Sequence, residues 1–264
     1  LAAQPAFPHT GPPDKTTADV MANPFYAPGQ QRAAKVNDLF AVIARRYDRL
    51  NDLQSAGLHR VWKRRLVAQA GVAPGARALD VCCGTGDIAW RLARAGAEVI
   101  GLDFSEAMLA VARAKNRNPQ AATHPPRFIH GDAQELPFAG ASFDIVTVGY
   151  GLRNLASWET GLREMSRVTK PGGRVLVLDF GKPANPVWRT VYFSYLRLAV
   201  PVLGRVFAGS AEAYAYILES LRHYPAQLGV AAKMTELGLA EVQTFNLLGG
   251  AMSIHRAVKS NAPD

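Results

Sequence analysis

Acid is in short supply in this chain. Its 264 residues carry 21 Asp and Glu against 30 Lys and Arg, a formal net charge of +9. That balance suits an anionic membrane surface or nucleic acid, and equally an ordinary solvated basic surface. Its basic residues cluster only briefly, at Arg45-Arg46 and Lys63-Arg64-Arg65. Cysteine is scarcer still: two residues, adjacent, Cys82 and Cys83. Neighbouring side chains on a strand point to opposite faces, so this pair predicts no structural disulfide and a reducing compartment. No spacing of His and Cys matches a metal site. No apolar run is long and clean enough to span a bilayer. The N-terminal stretch has no basic start followed by an apolar core, and its first arginine is Arg32, so neither a secretory leader nor an Arg-rich transit peptide is predicted. There are no internal repeats.

Hydrophobic residues make up 48% of the chain, enough for a substantial core in one α/β domain with additions. The central stretch is Ala78-Leu-Asp-Val-Cys-Cys-Gly-Thr-Gly-Asp87. It reads as a buried strand, a tight turn and a helix start. Gly84 and Gly86 allow positive φ and close approach of a ligand, and a helix N-terminus offers free N–H groups and the positive end of a dipole. Such a corner binds a phosphate, a carboxylate or an adenosine-bearing cofactor. A second apolar run, Val99-Ile-Gly-Leu-Asp103, ends in an acid roughly 20 residues after the glycines, the place from which a carboxylate reaches ribose hydroxyls.

Two features favour S-adenosylmethionine over a dinucleotide. Asp80 precedes the turn, where an acid can meet a cationic methionine end but would repel a pyrophosphate. Gly131-Asp132-Ala133 and Leu136-Pro-Phe138 then precede a further strand, Phe143 to Gly149, an arrangement resembling the adenine-contacting segment and fourth strand of class I methyltransferases.

The flanks divide by pattern. Residues 1–32 are a proline-rich arm, expected to be disordered or extended. Residues 33–259 read as the methyltransferase domain: cap helices over 33–72, a cofactor-binding core over 77–180, substrate-cover helices over 181–235 and a C-terminal hairpin over 236–259. Val36, Leu39, Phe40, Ile43 and Tyr47 predict one helix, broken at Asn51–Gly57, and His59–Ala70 predicts another. Ser105 and Ser157 are expected helix N-caps, and Asn118-Pro119 a helix stop. Lys170-Pro-Gly-Gly173 reads as a turn before a strand. Pro186–Phe207 is aromatic and aliphatic, with Arg189, Arg197 and Arg205 interleaved and Pro201 as a break; it suits a greasy cover that touches a membrane, or an ordinary pair of core helices. The last two strands predict the antiparallel final strand that separates class I methyltransferases from NAD-binding relatives.

Taken together, Tyr47-Asp-x-Leu-Asn51, Trp62-Lys63, Leu79-Asp-Val-Cys-Cys-Gly-Thr-Gly-Asp87, Gly131-Asp-Ala133, Leu136-Pro-Phe138, Gly149-Tyr-Gly-Leu-Arg-Asn154, Leu178-Asp-Phe180 and Leu218-Glu-Ser220 resemble the quinone C-methyltransferases of menaquinone and ubiquinone biosynthesis. The Gly-Leu-Arg-Asn segment is the most specific part. The resemblance implies a class I fold, a Rossmann-like seven-stranded sheet with an N-terminal helical cap, that uses S-adenosylmethionine to methylate a polyprenylated quinol. Demethylmenaquinol is the expected substrate, with ubiquinone or phylloquinone precursors as alternatives. Carried over by position, cofactor contacts fall on Thr85, Asp103, Asp132, Ala133 and Gly149, beside Asp80, Gly84 and Gly86 of the loop. Cys82 stands where generic enzymes have a first glycine, and Gly149 where Ser is common. Sulfonium methyl transfer to carbon is an in-line displacement that needs no metal; the ring carbon becomes nucleophilic when the neighbouring hydroxyl loses its proton. Arg153 is expected to stabilise that phenolate, Asn154 to orient the ring, and Tyr150 and Tyr47 to assist. A cytoplasmic protein is expected, peripheral on the inner face of the membrane through the +9 charge and the Arg-studded apolar stretch 186–207, with room for a homodimer.

Two rival classes fit less well. Amino-directed base methylases usually carry an Asn/Asp-Pro-Pro-aromatic run after the fourth strand, where this chain has Gly149–Asn154, and base C5-methylases need a cysteine away from the cofactor loop. No nucleic-acid partner is therefore expected. An NAD-dependent oxidoreductase would want a Tyr-x-x-x-Lys or His–Asp signature that is not apparent. A non-enzymatic, cofactor-binding scaffold is a third reading, opposed by the intact Arg153 and Asn154.

Overall fold

A computed structural model describes residues 38, 40–115, 124–202, 218, 220–221 and 224–261. The proline-rich arm, Asn118-Pro119 and Arg205 lie outside the described residues.

Seven strands form one sheet: β1 (Arg77–Val81), β2 (Glu98–Asp103), β3 (Arg127–His130), β4 (Phe143–Gly149), β5 (Thr169–Phe180), β6 (Leu239–Leu247) and β7 (Met252–Lys259). Their order is β3-β2-β1-β4-β5-β7-β6. Strands β1 to β5 pair in parallel, while β7 runs antiparallel to both β5 and β6. The last strand in sequence is thus wedged between β5 and β6 rather than placed at the edge. The chain leaves β1 in one direction for β2 and β3 and returns on the other side for β4 and β5. The carboxyl ends of β1 and β4 therefore border the crevice where an open α/β sheet takes its ligand.

The inner strands are buried on both faces, and the period of two sorts their side chains between layers. Leu79, Val81, Val175 and Val177 enter the core on one side; Ala78, Leu176 and Leu178 enter the other. The helices covering them are α1 (Tyr47–Ser55), α2 (Leu58–Ala70), α3 (Asp87–Arg94), α4 (Glu106–Ala114), α5 (Trp158–Val168), α6 (Pro186–Ser194) and α7 (Ala226–Glu236).

Several boundaries differ from the sequence reading. Asn51 does not break the cap helix, which runs on to Ser55; the break is Ala56 and Gly57, both with positive φ (47° and 76°). Their N–H groups close the helix on Leu53 and Asp52 carbonyls. Lys170–Gly173 is not a separate turn but an irregular stretch inside β5, where pairing with β4 jumps from Phe143↔Thr169 to Ile145↔Arg174. Pro201 does not end its helix. Helical backbone continues to Val202, and a π-helical stretch over Tyr195–Ala199 lies just ahead of Pro201, which has no N–H to contribute. Ser157 caps α5 by accepting from Thr160 N–H, whereas Ser105 occupies the cap position of α4 without making the bond.

Candidate active site

Two cavities meet at the carboxyl edge of the sheet. The smaller lies over the β1 and β4 ends and is lined by Cys82, Gly84, Asp103, Ser105, Asp132, Ala133, Gly149 and Asn154, among others. The larger, ≈ 510 Å³, lies between the cap helices and α6, with Leu50, His59, Trp62, Arg153, Phe180 and Tyr192 in its wall. Phe40, Tyr47 and Tyr150 border both.

The smaller cavity is built from backbone and acid. Gly84 has φ +55°, and its N–H donates to Asp103 Oδ2 at 2.7 Å, while Ser105 N–H donates to Oδ1 at 2.9 Å. Each Asp103 oxygen keeps a lone pair for the cavity. Burial pushes its carboxyl above the usual carboxylate range, against the pull of those N–H groups. The Ser105 hydroxyl is buried without a partner. A further unsatisfied hydroxyl belongs to Tyr150, whose backbone has φ +63°. A non-glycine residue held there stores strain on the order of 1–3 kcal/mol, a cost that persists where surroundings over-determine it. Orphaned hydroxyls, a glycine turn and a lone-pair-bearing acid fit a nucleoside with a charged sulfonium tail.

Gly84, Asp103, Asp132, Ala133 and Gly149 thus come together. Three expected cofactor residues stand outside the cavity wall. Asp80 is 1% exposed; its Oδ2 accepts from Ala89 N–H at 3.0 Å and its Oδ1 from the Thr147 hydroxyl at 2.8 Å. It caps the start of α3 from the strand beneath, because Gly86 at the cap position has no side chain to offer. Its burial pushes its pKa up to about 7. Thr85 donates to Asp48 at 2.7 Å and accepts from Lys115. Gly86 is where Phe128 packs, with its ring 2.8 Å from where a Cβ would stand. Gly149 has its own reason: a Cβ there would lie 2.4 Å from Ile88 Cδ1, so Ile88 fills the room a serine would need.

Arg153 and Asn154 divide between the cavities. Arg153, 7% exposed, lines the larger; Asn154 lines the smaller, and the two are joined by a 3.2 Å hydrogen bond. Arg153 also donates to Ser220 at 2.5 Å, pairs with Asp179 at 3.2 Å and lies 4.7 Å from the Phe180 ring centroid. Burial pushes Asp179 up while Arg153 pulls it back. The guanidinium is held in a fixed orientation on the cavity wall.

Sequence reasoning missed a polar cluster over the loop. Lys115 bridges Asp48 (2.6 Å) and Asp87 (2.8 Å), and Lys63 binds Asp87 from the other side at 2.8 Å. Although burial opposes it, the two lysines hold Asp87 well below the usual carboxylate range. It ties α1, α2 and the end of α4 to the cofactor loop. His59 with Asp52 was missed as well. The lysine cluster has no local motif, since its partners stand far apart in the chain, whereas Asp52 and His59 are seven positions apart and meet across the break at Ala56–Gly57. Among the described residues no cluster of His, Cys, Asp or Glu could hold a metal ion.

The sheet order, the glycine turn and the acid ending β2 define a class I S-adenosylmethionine-dependent methyltransferase. A solved methyltransferase from Thermotoga maritima, described as a possible histamine N-methyltransferase, shares the fold at a TM-score of 0.59 and 20% identity, covering 85% of this chain and 100% of its own. The particular assignment comes from sequence. Residues 29–259 match the ubiE/COQ5 methyltransferase family, and the chain belongs to it. It is 40% identical over 235 residues to the ubiquinone/menaquinone biosynthesis C-methyltransferase UbiE of Ectopseudomonas mendocina, covering 88% of this chain and 91% of that one. It is equally 40% identical over 230 residues to the demethylmenaquinone methyltransferase of Staphylococcus aureus, covering 85% and 93%. The protein is an S-adenosylmethionine-dependent C-methyltransferase.

Proposed function

We propose that this enzyme methylates a ring carbon of a polyprenylated demethylquinol, with demethylmenaquinol as its substrate. The observation that carries the reading is the pair of cavities meeting at Tyr47 and Tyr150. One is walled by backbone, acids and small residues. The other is large and almost wholly apolar, suited to a fused ring and the first isoprene units, and its volume is typical of small-molecule sites. In this reading Asp103 accepts from the ribose hydroxyls, and Asp132 and Ala133 flank the adenine. Arg153 faces the ring oxygen and stabilises the negative charge as its proton leaves. Asn154 fixes the guanidinium to the loop.

We also assign a membrane-facing side. Leu53, Leu58, Val191, Tyr195 and Leu248 are exposed on the rim of the large cavity, and Val187, Leu198 and Val202 continue the apolar surface along α6 and the helix after it. A quinol with an isoprenoid tail would enter from that side. The test is methyl transfer from S-adenosylmethionine to short-chain demethylmenaquinol and to its demethylated benzoquinol counterpart, followed by mass. The naphthoquinol should gain one methyl group, and Arg153→Lys should slow that step about a hundredfold, the effect of losing one such donor. No turnover of the naphthoquinol alongside turnover of the benzoquinol would move the substrate to the ubiquinone series.

A further inference from the structure

His59 is one of the few titratable groups buried in the wall of the large cavity, and the substrate reading above gives it no task. It is 3% exposed and sits near the start of α2. Its Nε2 lies 2.8 Å from Asp52 Oδ1. Arg60 donates to both Asp52 oxygens, each at 2.6 Å, and holds that carboxyl well below the usual range. Asp52 is therefore ionised and can only accept, which fixes the proton of a neutral His59 on Nε2. Burial keeps His59 below its ordinary pKa, against the pull of Asp52, so the ring is neutral near pH 7. Its Nδ1 then carries a lone pair, and Nδ1 is buried with no hydrogen-bond partner. Nδ1 has almost no accessible surface of its own, so a donor meets it when a bound quinol displaces the side chains that cover it; a buried acceptor left unpaired is costly and calls for such a donor.

Its position also fits. Lys63, one helical turn further along the same face of α2, has its ammonium 5.9 Å from the Tyr150 ring centroid, and Tyr150 borders both cavities. His59 stands one helical turn before Lys63 on α2, and Arg153 lies in the same cavity wall.

We propose that His59 is the base that takes the quinol hydroxyl proton, with Asp52 as its positioning residue; the proposal rests on the demethylquinol reading. The hydroxyl proton passes to Nδ1. The phenolate pair moves through the ring to the adjacent carbon, which bonds to the methyl carbon as the carbon–sulfur bond breaks and sulfur keeps that pair. Loss of the proton on the same ring carbon restores aromaticity, and the imidazolium returns its proton to the oxygen. One proton is released in all. Asp52, Lys63 and Asp87 surround His59 on the helix side, and Arg153, Tyr47, Tyr150, Tyr192 and Tyr195 share its cavity.

The experiment is single-turnover methyl transfer at saturating cofactor, from pH 5 to 9, with the parent and His59→Gln. Glutamine keeps an N–H for Asp52 but cannot take a proton. The parental rate should climb tenfold per pH unit at low pH and level off before about pH 6.5, as a base deprotonates. The variant should be about a hundredfold slower at pH 7, with no plateau, and unchanged in cofactor affinity. A demethylquinol with a more acidic hydroxyl should narrow that deficit at least tenfold, which a merely structural role would not do. A variant at the parental rate, or a deficit equal for both quinols, would overturn the assignment while leaving the substrate reading intact. A parent that methylates neither quinol would overturn both. Should the variant fail to fold, the parental profile decides: a rate flat from pH 5 to 8 would overturn the role.

Discussion

Asp80, one residue before the end of β1, and Asp103, at the end of β2, stand on neighbouring strands, yet their partners separate them. Asp103 offers lone pairs to the cavity, whereas Asp80 spends both oxygens on Ala89 and Thr147. The pKa of Asp80 is about 7 in the folded chain, against 3.8 for the free group. A carboxyl with a raised folded value favours folding most below its unfolded value, and that contribution is lost as pH rises towards 7. Asp80→Asn removes the ionisation while keeping an acceptor for Ala89. The stability of the variant relative to the parent should therefore grow between about pH 4 and pH 7, by about 4 kcal/mol at most, and stay level above. Thermal unfolding across that range checks it; a difference independent of pH would mean that Asp80 is no more perturbed than an exposed acid. Asp103, Asp132 and Gly149, which line the smaller cavity, were legible because each closes a strand or follows one closely. Asp80, expected at the ligand, stands outside that cavity, since spacing shows which strand an acid is on and not which neighbour claims its oxygens. Asp48 reaches Thr85 across 37 positions and left no local trace.

Elements fared according to how local their cause is. The strand–turn–helix corner, α2 and the β6–β7 hairpin were legible from periodicity and glycine. The break at Ala56–Gly57, the irregularity inside β5 and the continued helix at Pro201 depend on pairing with distant segments. The loop after β4 shows what such dependence does. Gly151 has ordinary φ, but a Cβ there would stand 2.3 Å from Cys82 Cβ and 2.9 Å from its sulfur. Cys82 itself has φ +52°, the conformation that explains a glycine at this position in generic enzymes. The two loops that carry the cofactor turn and Arg153 are therefore packed against each other. Gly151→Ala should cost about 1–3 kcal/mol through overpacking and reduce turnover. Cys82→Gly clears the space, so the double variant should recover most of that loss. A double-mutant cycle in denaturant measures the coupling, and strictly additive effects would contradict the packing.

For the whole molecule, the proposed membrane-facing side combines net positive charge with greasy surface. Among the described residues no helix is long and apolar enough to cross a membrane. The exposed apolar rim of the large cavity lies on a chain of net charge +9. Attraction to an anionic leaflet would hold the rim against the bilayer and weaken as salt screens it. In flotation, the protein should rise with vesicles containing anionic lipid, less so as salt increases, and remain behind with neutral ones. Equal binding to both would leave the basic excess without this role.

The proposed function gives the two cavities separate occupants that meet at Tyr47 and Tyr150. A crystal structure with S-adenosylhomocysteine and a short-chain demethylmenaquinol measures this most directly. The account predicts ribose hydroxyls on Asp103, the sulfur beside Tyr150, and the naphthol ring in the large cavity against Arg153 with its tail towards Val191 and Tyr195. A quinol bound outside the cavity between the cap helices and α6, or an adenosine that leaves Asp103 untouched, would contradict it.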